Sequence, residues 1–255
     1  MSLFSLEGHI ALVTGSSAGL GKAIALKLGQ RGAKVALNYH RDRDRAEQTL
    51  TAIQEQGCEG ILVQGDATKE EDVREMYGAI ARELGAVDIL VSNAGVDIPQ
   101  IPFEEQTWDI FQTAIDFFIK SPYLLTRVCL PTMKQQKWGR IINISSDVCF
   151  RTVNNFSAYV TAKQGQVGFT RSMATELAPF GITVNTVAPG WIPVERHFSE
   201  PNFQQKKESY ENTRVPVKRV GIPQDIADTV LYFASEESSF VTGQYLCVNG
   251  GVSLM

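Results

Sequence analysis

The chain has 255 residues, 44% of them hydrophobic and 20% charged, with a formal net charge of −4. That length and composition suit one large α/β domain with a sizeable core, and the acidic balance argues against a nucleic-acid-binding surface. No apolar run approaches the ~18 residues of a membrane span, and the four cysteines and three histidines show neither Cys-x-x-Cys pairs nor metal-ligand spacing, so no metal is expected.

The start, Met1 to Gly8, lacks the basic region and apolar core of a signal peptide. The scattered thiols (Cys58, Cys129, Cys149, Cys247) suit a reducing compartment, and a cytoplasmic setting is expected. His9 to Thr14 is an apolar run that stops at Thr14-Gly15-Ser16-Ser17-Ala18-Gly19-Leu20-Gly21, and Ile24, Leu26 and Leu28 then begin a helical pattern. Strand, glycine turn and helix together aim a helix N-terminus and free amides at a phosphate. The spacing here is Gly-x-x-x-Gly-x-Gly rather than the better-known Gly-x-Gly-x-x-Gly.

Lys34 to Tyr39 reads as the second strand. An acid at its end would grip the 2′-hydroxyl of NAD. The sequence there is Asn38-Tyr39-His40-Arg41, and an arginine such as Arg41 or Arg43 suits a 2′-phosphate instead. NADP(H) is therefore the expected cofactor, with NAD(H) as the alternative. The third strand, Ile61 to Gln64, ends at Asp66-Ala67; Asp66 would either bind an adenine edge or cap the helix that begins near Lys69. The fourth, Val87 to Val91, runs into Ser92-Asn93-Ala94-Gly95, where small residues leave room for a flat cofactor and Asn93 can bridge backbone groups. A long helical stretch follows from about Gln106 to Lys134, interrupted by Pro122.

Arg140 to Ile144 reads as a buried strand that delivers Ser146. Thirteen residues on, Tyr159 and Lys163 stand at i and i+4 on one helix face. An ammonium there would favour the phenolate and allow proton exchange well below the ~10 of a free phenol, while the serine hydroxyl could hold a carbonyl oxygen. Ile182 to Val187 is the sixth strand, ending in Ala188-Pro189-Gly190-Trp191-Ile192. The polar segment at about 191–219, with no clear period beyond one short helix, is long enough to be a substrate lid. Its Glu195, Arg196 and His197 would face either a polar substrate or solvent. A helix from Pro223 and a strand near Tyr245 to Val248 close the chain. About seven strands alternating with helices predict a single-domain, Rossmann-type, doubly wound parallel sheet spanning 1–255.

Taken jointly, the Thr14–Gly21 turn, Asp66, Asn93-Ala94-Gly95, Ser146, Tyr159 with Lys163, Pro189-Gly190 and Asn249-Gly250-Gly251 resemble the classical short-chain dehydrogenase/reductase family over essentially the whole chain. Members near in pattern are 3-oxoacyl carrier-protein reductases and glucose dehydrogenases. The resemblance implies that Tyr159 is the general acid/base, that Ser146 holds the substrate oxygen, and that Lys163 lowers the tyrosine pKa and binds the nicotinamide ribose. It implies further cofactor contacts from Gly15, Ser17, Gly19, Leu20 and Gly21, from His40 and Arg41, from Asp66 and Ala67, from Asn93, Ala94 and Gly95, and from Pro189, Gly190 and Ile192. It also implies a small-molecule carbonyl or alcohol substrate. A homotetramer would use the helices around Phe111–Lys134 and Ala158–Ala178 and the last strand.

Two departures stand out. Phe118 occupies the place of a family asparagine whose main-chain carbonyl holds a water joined to the lysine. In an α-helix Pro122 removes the hydrogen bond to the carbonyl four residues back, that of Phe118. That carbonyl is then either free to hold the water, or Phe118 simply fills the site and the relay is lost. The second departure is Pro193-Val194, where the family often has a threonine. A cofactor-binding sensor without turnover is accordingly a second functional expectation.

Overall fold

The computed structural model describes residues 3–151 and 153–254; Met1 and Ser2, where the chain start was read, lie outside them. Seven strands form one parallel sheet in the order β3-β2-β1-β4-β5-β6-β7. They are β1 (Ile10–Val13), β2 (Lys34–Tyr39), β3 (Gly60–Gln64), β4 (Ile89–Ser92), β5 (Gly139–Ile144), β6 (Ile182–Pro189) and β7 (Tyr245–Val248). The central strands are buried along their whole length, as expected of parallel strands covered on both faces, which is why they read as unbroken apolar runs.

Alternate residues of each strand serve opposite faces. Ala11, Val13, Val35, Leu37, Ile89 and Val91 pack toward α1 (Gly19–Gln30) and α8 (Pro223–Ala234). Ile10, Leu12, Ala36 and Leu90 pack toward α3 (Glu70–Glu83) and α5 (Ser121–Gln136). Each valine, leucine or isoleucine among them taken fully out of water contributes about 1.5–3 kcal/mol. The fourth apolar run enters the ladder two residues later than its start at Val87. Asp88 is occupied as a clamp, its carboxylate accepting from the Ile10 amide at 2.8 Å and meeting His9 Nδ1 at 2.9 Å.

The strand order reverses between β1 and β4, because β1 pairs with β2 on one side and β4 on the other. In such sheets the crevice at the carboxyl ends of these strands is where ligands bind. The helical stretch after β4 is α4 (Trp108–Ile115), a wide π turn (Asp116–Lys120) and α5. Ser121 donates five residues back, to the Asp116 carbonyl. Pro122 is thus accommodated by one over-wide turn. In this register the amide that proline lacks would face the Phe117 carbonyl, whereas the α-helical count assigns it to Phe118. The segment at 191–219 is also more regular than its polarity predicts: α7 (Phe203–Thr213) runs through it with no buried residue. No helix among the described residues is long and apolar enough to cross a membrane.

Candidate active site at the carboxyl edge of the sheet

Ser146 leaves β5 in extended conformation and accepts through Oγ from the Val148 amide at 3.4 Å. Its carbonyl accepts from the Tyr245 hydroxyl of β7. Opposite lies α6 (Ser157–Leu177), which carries Tyr159 and Lys163. A buried polar chain docks this helix on the sheet: Asn143 Nδ2 donates to Thr170 Oγ1 at 3.0 Å, and Thr170 meets Thr186 of β6 at 2.9 Å. Such contacts inside an apolar interface fix one register between helix and sheet. The three predicted catalytic side chains are thereby brought to one place. The Ser146 hydroxyl lies near enough to the Tyr159 phenol to draw its pKa downward, and Lys163 reaches the end of β5, its Nζ donating to the Ile144 carbonyl at 2.8 Å.

The electrostatics differ from the simple expectation for a tyrosine next to an ammonium. Tyr159 stacks on Phe156 at 4.5 Å between centroids and meets the edge of Phe118 at 5.2 Å, in a small apolar cluster with Ala158 and Ala162. Burial pushes its phenol up to about 12, against the opposing influence of the neighbouring Ser146 hydroxyl. The same dryness pushes Lys163 down to about 7. Removing water disfavours both charged forms, and here that effect outweighs the attraction expected from the i, i+4 spacing. Although the tyrosine ring keeps some solvent contact, its surroundings hold it protonated.

The glycine turn is built without room for side chains. A Cβ on Gly15, whose φ is +62°, would sit 2.9 Å from the Ala94 Cα. One on Gly21 would strike the Gly15 carbonyl and lie 2.6 Å from Asn93 Nδ2. Asn93 acts as the predicted bridge, donating to the carbonyls of Thr14 at 2.8 Å and Gly15 at 3.2 Å. The amides of Asn93 and Ala94 both donate to Thr14 Oγ1. Asn38, which the sequence reading passed over, completes the cradle by accepting from the Gly15 amide at 3.2 Å and donating to the Gly65 carbonyl at 3.1 Å. Its signal was available, since a buried amide at a strand end needs partners. The Ser17 carbonyl accepts from Thr49, and Leu20 is half-buried against the core.

At the end of β2, His40 and Arg41 are exposed. Arg43 is engaged with Glu47 at 2.7 Å and Arg45 with Asp42 at 3.2 Å. Asp42 caps α2 (Arg43–Gln54), accepting from the Arg45 amide. Arg41 has no carboxylate partner among the described residues. Asp66 is not a helix cap, because α3 begins at Glu70 with Lys69 at the cap position. It closes a local turn instead, one oxygen accepting from the Thr68 amide at 3.0 Å and hydroxyl at 2.7 Å. Burial opposes its charge, yet these bonds and the nearby His40 hold it below the usual carboxylate range. The neighbouring Ala67 is buried against α3. Gly95 lies under the Phe118 ring, 3.4 Å from where a Cβ would be.

Beyond β6, Gly190 donates to the Val248 carbonyl at 3.1 Å, and a Cβ there would meet Asn249 at 2.7 Å. The Ile192 side chain is buried in the core. The 191–219 segment then returns to the glycine turn. Val194 packs against Gly19, and a Glu195 carboxylate oxygen accepts from the Gly19 amide at 3.1 Å. Arg196 pairs with Asp97 at 2.7 Å. Trp191 sets its ring against Tyr210 of α7 at 5.1 Å. The N-terminal amide of α1 thus already holds an anion, and the glycine backbone around it fits a dinucleotide pyrophosphate.

A family model described as enoyl-(acyl carrier protein) reductase matches residues 15–253. The chain is 38% identical over 244 residues to 3-oxoacyl-(acyl-carrier-protein) reductase FabG of Staphylococcus epidermidis, covering 95% of this chain and 98% of that protein. Its fold matches a putative gluconate dehydrogenase from Agrobacterium tumefaciens with a TM-score of 0.91 and 32% identity over the full length of both chains. It also matches 7α-hydroxysteroid dehydrogenase complexed with NADH and 7-oxo glycochenodeoxycholic acid, with a TM-score of 0.89 and 32% identity, covering 97% of this chain and 95% of that one. With the glycine turn, the Ser146–Tyr159–Lys163 cluster and the seven-stranded sheet in place, the chain belongs to the short-chain dehydrogenase/reductase family of NAD(P)-dependent carbonyl/alcohol oxidoreductases.

Proposed function

We propose that this protein interconverts a carbonyl and a secondary alcohol with NADP(H) preferred, Tyr159 acting as general acid/base. The observation that carries the reading is the meeting of Ser146, at the end of β5, with Tyr159 and Lys163 of α6, the lysine Nζ donating to the Ile144 carbonyl at 2.8 Å. When bound, the nicotinamide cofactor supplies or accepts the hydride at the carbonyl carbon. Ser146 holds the substrate oxygen, and Tyr159 gives that oxygen its proton or takes it back. A phenol held up at about 12 carries its proton at neutral pH, the form in which it can give that proton to the substrate oxygen. The preference for a 2′-phosphate rests on the unpaired Arg41 and the absence of an acid at the end of β2. The remaining contacts are assigned to the glycine turn, Asp66, Asn93 and the Pro189–Ile192 backbone, with residues 191–219 as the substrate lid. A homotetramer is proposed through faces that include the exposed Tyr123 of α5, Phe240 and Leu246.

Fluorescence titration with NADPH and NADH, followed by a panel of ketones, 3-oxoacyl esters and sugars, tests the assignment. Tighter NADPH binding with oxidation on at least one panel member is expected, and light scattering should give four times the chain mass. A preference for NADH would sink the role given to Arg41. A second reading, a cofactor sensor without turnover, is favoured by Phe118 in the place of the family asparagine; binding of NADPH with no oxidation across the panel would select it. The Glu195 carboxylate shares the Gly19 amide with the expected pyrophosphate. A charge at a helix N-terminus is worth ~0.3–1 kcal/mol, so Glu195→Gln should tighten NADPH by roughly two- to fivefold. Unchanged affinity in the same titration would count against the overlap.

A further inference from the structure

We propose that Phe118 is a positioning residue for Lys163, its ring face holding the lysine ammonium by a cation–π contact and aiming it at the end of β5. The inference rests on the oxidoreductase reading above but is visible without it. Lys163 is 5% exposed, and no carboxylate pairs with it among the described residues. Its one hydrogen-bond acceptor there is the Ile144 carbonyl. An ammonium so placed needs a second source of negative potential. The Phe118 ring supplies it, with Nζ 4.0 Å from the ring centroid, inside the range where an aromatic quadrupole attracts a cation. The Tyr159 ring is more distant, at 5.8 Å.

The placement of Phe118 is specific. The wide turn at Asp116–Lys120 brings the ring, 3% exposed, over Gly95. There it touches the lysine with its face and lies perpendicular to the Tyr159 ring, at 87°. A single side chain thereby sets the relative positions of the two groups on α6. Where the family pattern has an amide, this chain has an aromatic face, and the lysine is held by a different force at the same place. The titratable groups around Lys163 are the Tyr159 phenol and the Cys149 thiol, the latter acting on it directly. Asp147 and Arg196 reach the cluster through their effect on Tyr159.

The test keeps shape constant and changes only the ring's electronics. Phe118 is replaced site-specifically by 3,5-difluoro- and 3,4,5-trifluorophenylalanine in the full chain without cofactor. The Lys163 titration is then followed by NMR of ε-¹³C-lysine, the signal being assigned through its loss in Lys163→Met. The cation–π contact favours the charged amine, so weakening it should lower the midpoint stepwise, by about one pH unit in total. Phe118→Leu should give the same drop, and Phe118→Tyr should restore the wild-type value. A midpoint indifferent to fluorination overturns the contact. A midpoint that moves while the pH limb of kcat/KM stays in place overturns the positioning role. Because the titration needs no turnover, an inactive wild-type chain would refute the oxidoreductase reading and leave this measurement standing.

Discussion

Tyr159→Phe is expected to lower turnover by about 10²–10⁴-fold and to leave NADPH binding within about a factor of two. The substitution removes one oxygen atom and keeps the ring. The stack on Phe156 and the edge contact with Phe118 survive, as does the apolar cluster around Ala158 and Ala162. Only the proton donor opposite Ser146 is lost. The melting temperature should change little, because the ring keeps its packing and the hydroxyl has no hydrogen-bond partner within the described residues to lose. Single-turnover kinetics with the best panel substrate, alongside a fluorescence titration, separate the two effects. Turnover that survives the change would move the acid/base role away from Tyr159. Equal loss of cofactor affinity would mean that the phenol is chiefly a cofactor ligand.

Gly21→Ala should be the most damaging single-methyl change in the cradle. The added carbon has nowhere to go, because it meets the Gly15 carbonyl and the Asn93 amide nitrogen at 2.6 Å. Both are fixed, the first by a backbone with φ of +62° and the second by its bonds to Thr14 and Gly15. Helix α1 must shift away from the turn, at a cost of about 1–3 kcal/mol. In a chain of this size that is a fall of roughly 2–12 °C in Tm, with NADPH affinity down at least about tenfold, since the amides would no longer converge. Gly168→Ala on α6 is the matched control. No atom lies within 4 Å of its Cβ position, and relief of the glycine penalty should stabilise by about 1 kcal/mol. If Gly21→Ala melts and binds like the wild type, the cradle is softer than its geometry indicates.

The sheet was legible because parallel central strands are buried on both faces, so an apolar run and a strand nearly coincide; β2 and β7 fall on their predicted limits. The glycine turn, Asn93, Ser146 and Gly190 were legible for a related reason, as each follows such a run, where the fold must place it. What could not be read depends on distance rather than order. Tyr159 and Lys163 share a helix face as predicted, yet spacing says nothing of the dryness that raises one group and lowers the other. The π turn was hidden because Pro122 signals only a missing donor, and a helix can answer that by bending or by widening. Helix α7 showed only as a short helical trace in a polar segment, because no apolar period marks a helix that buries no residue. Asp66 had two plausible partners until the start of α3 at Glu70 removed the capping role. Glu195 stands 176 residues from the amide it meets, a pairing no local pattern encodes.

If a dinucleotide pyrophosphate takes the Gly19 amide, as proposed, that last contact makes the chain its own competitor. A tethered carboxylate sits at a local concentration that dilution cannot lower. In that binding mode the measured affinity is the intrinsic affinity multiplied by the fraction of time the Gly19 amide is free. Any substrate that draws residues 191–219 away from the turn raises the cofactor's affinity, and the cofactor raises that substrate's affinity by the same factor. Two ligands that never touch would be coupled through one backbone N–H, and ordered binding would follow from occupancy of that single donor.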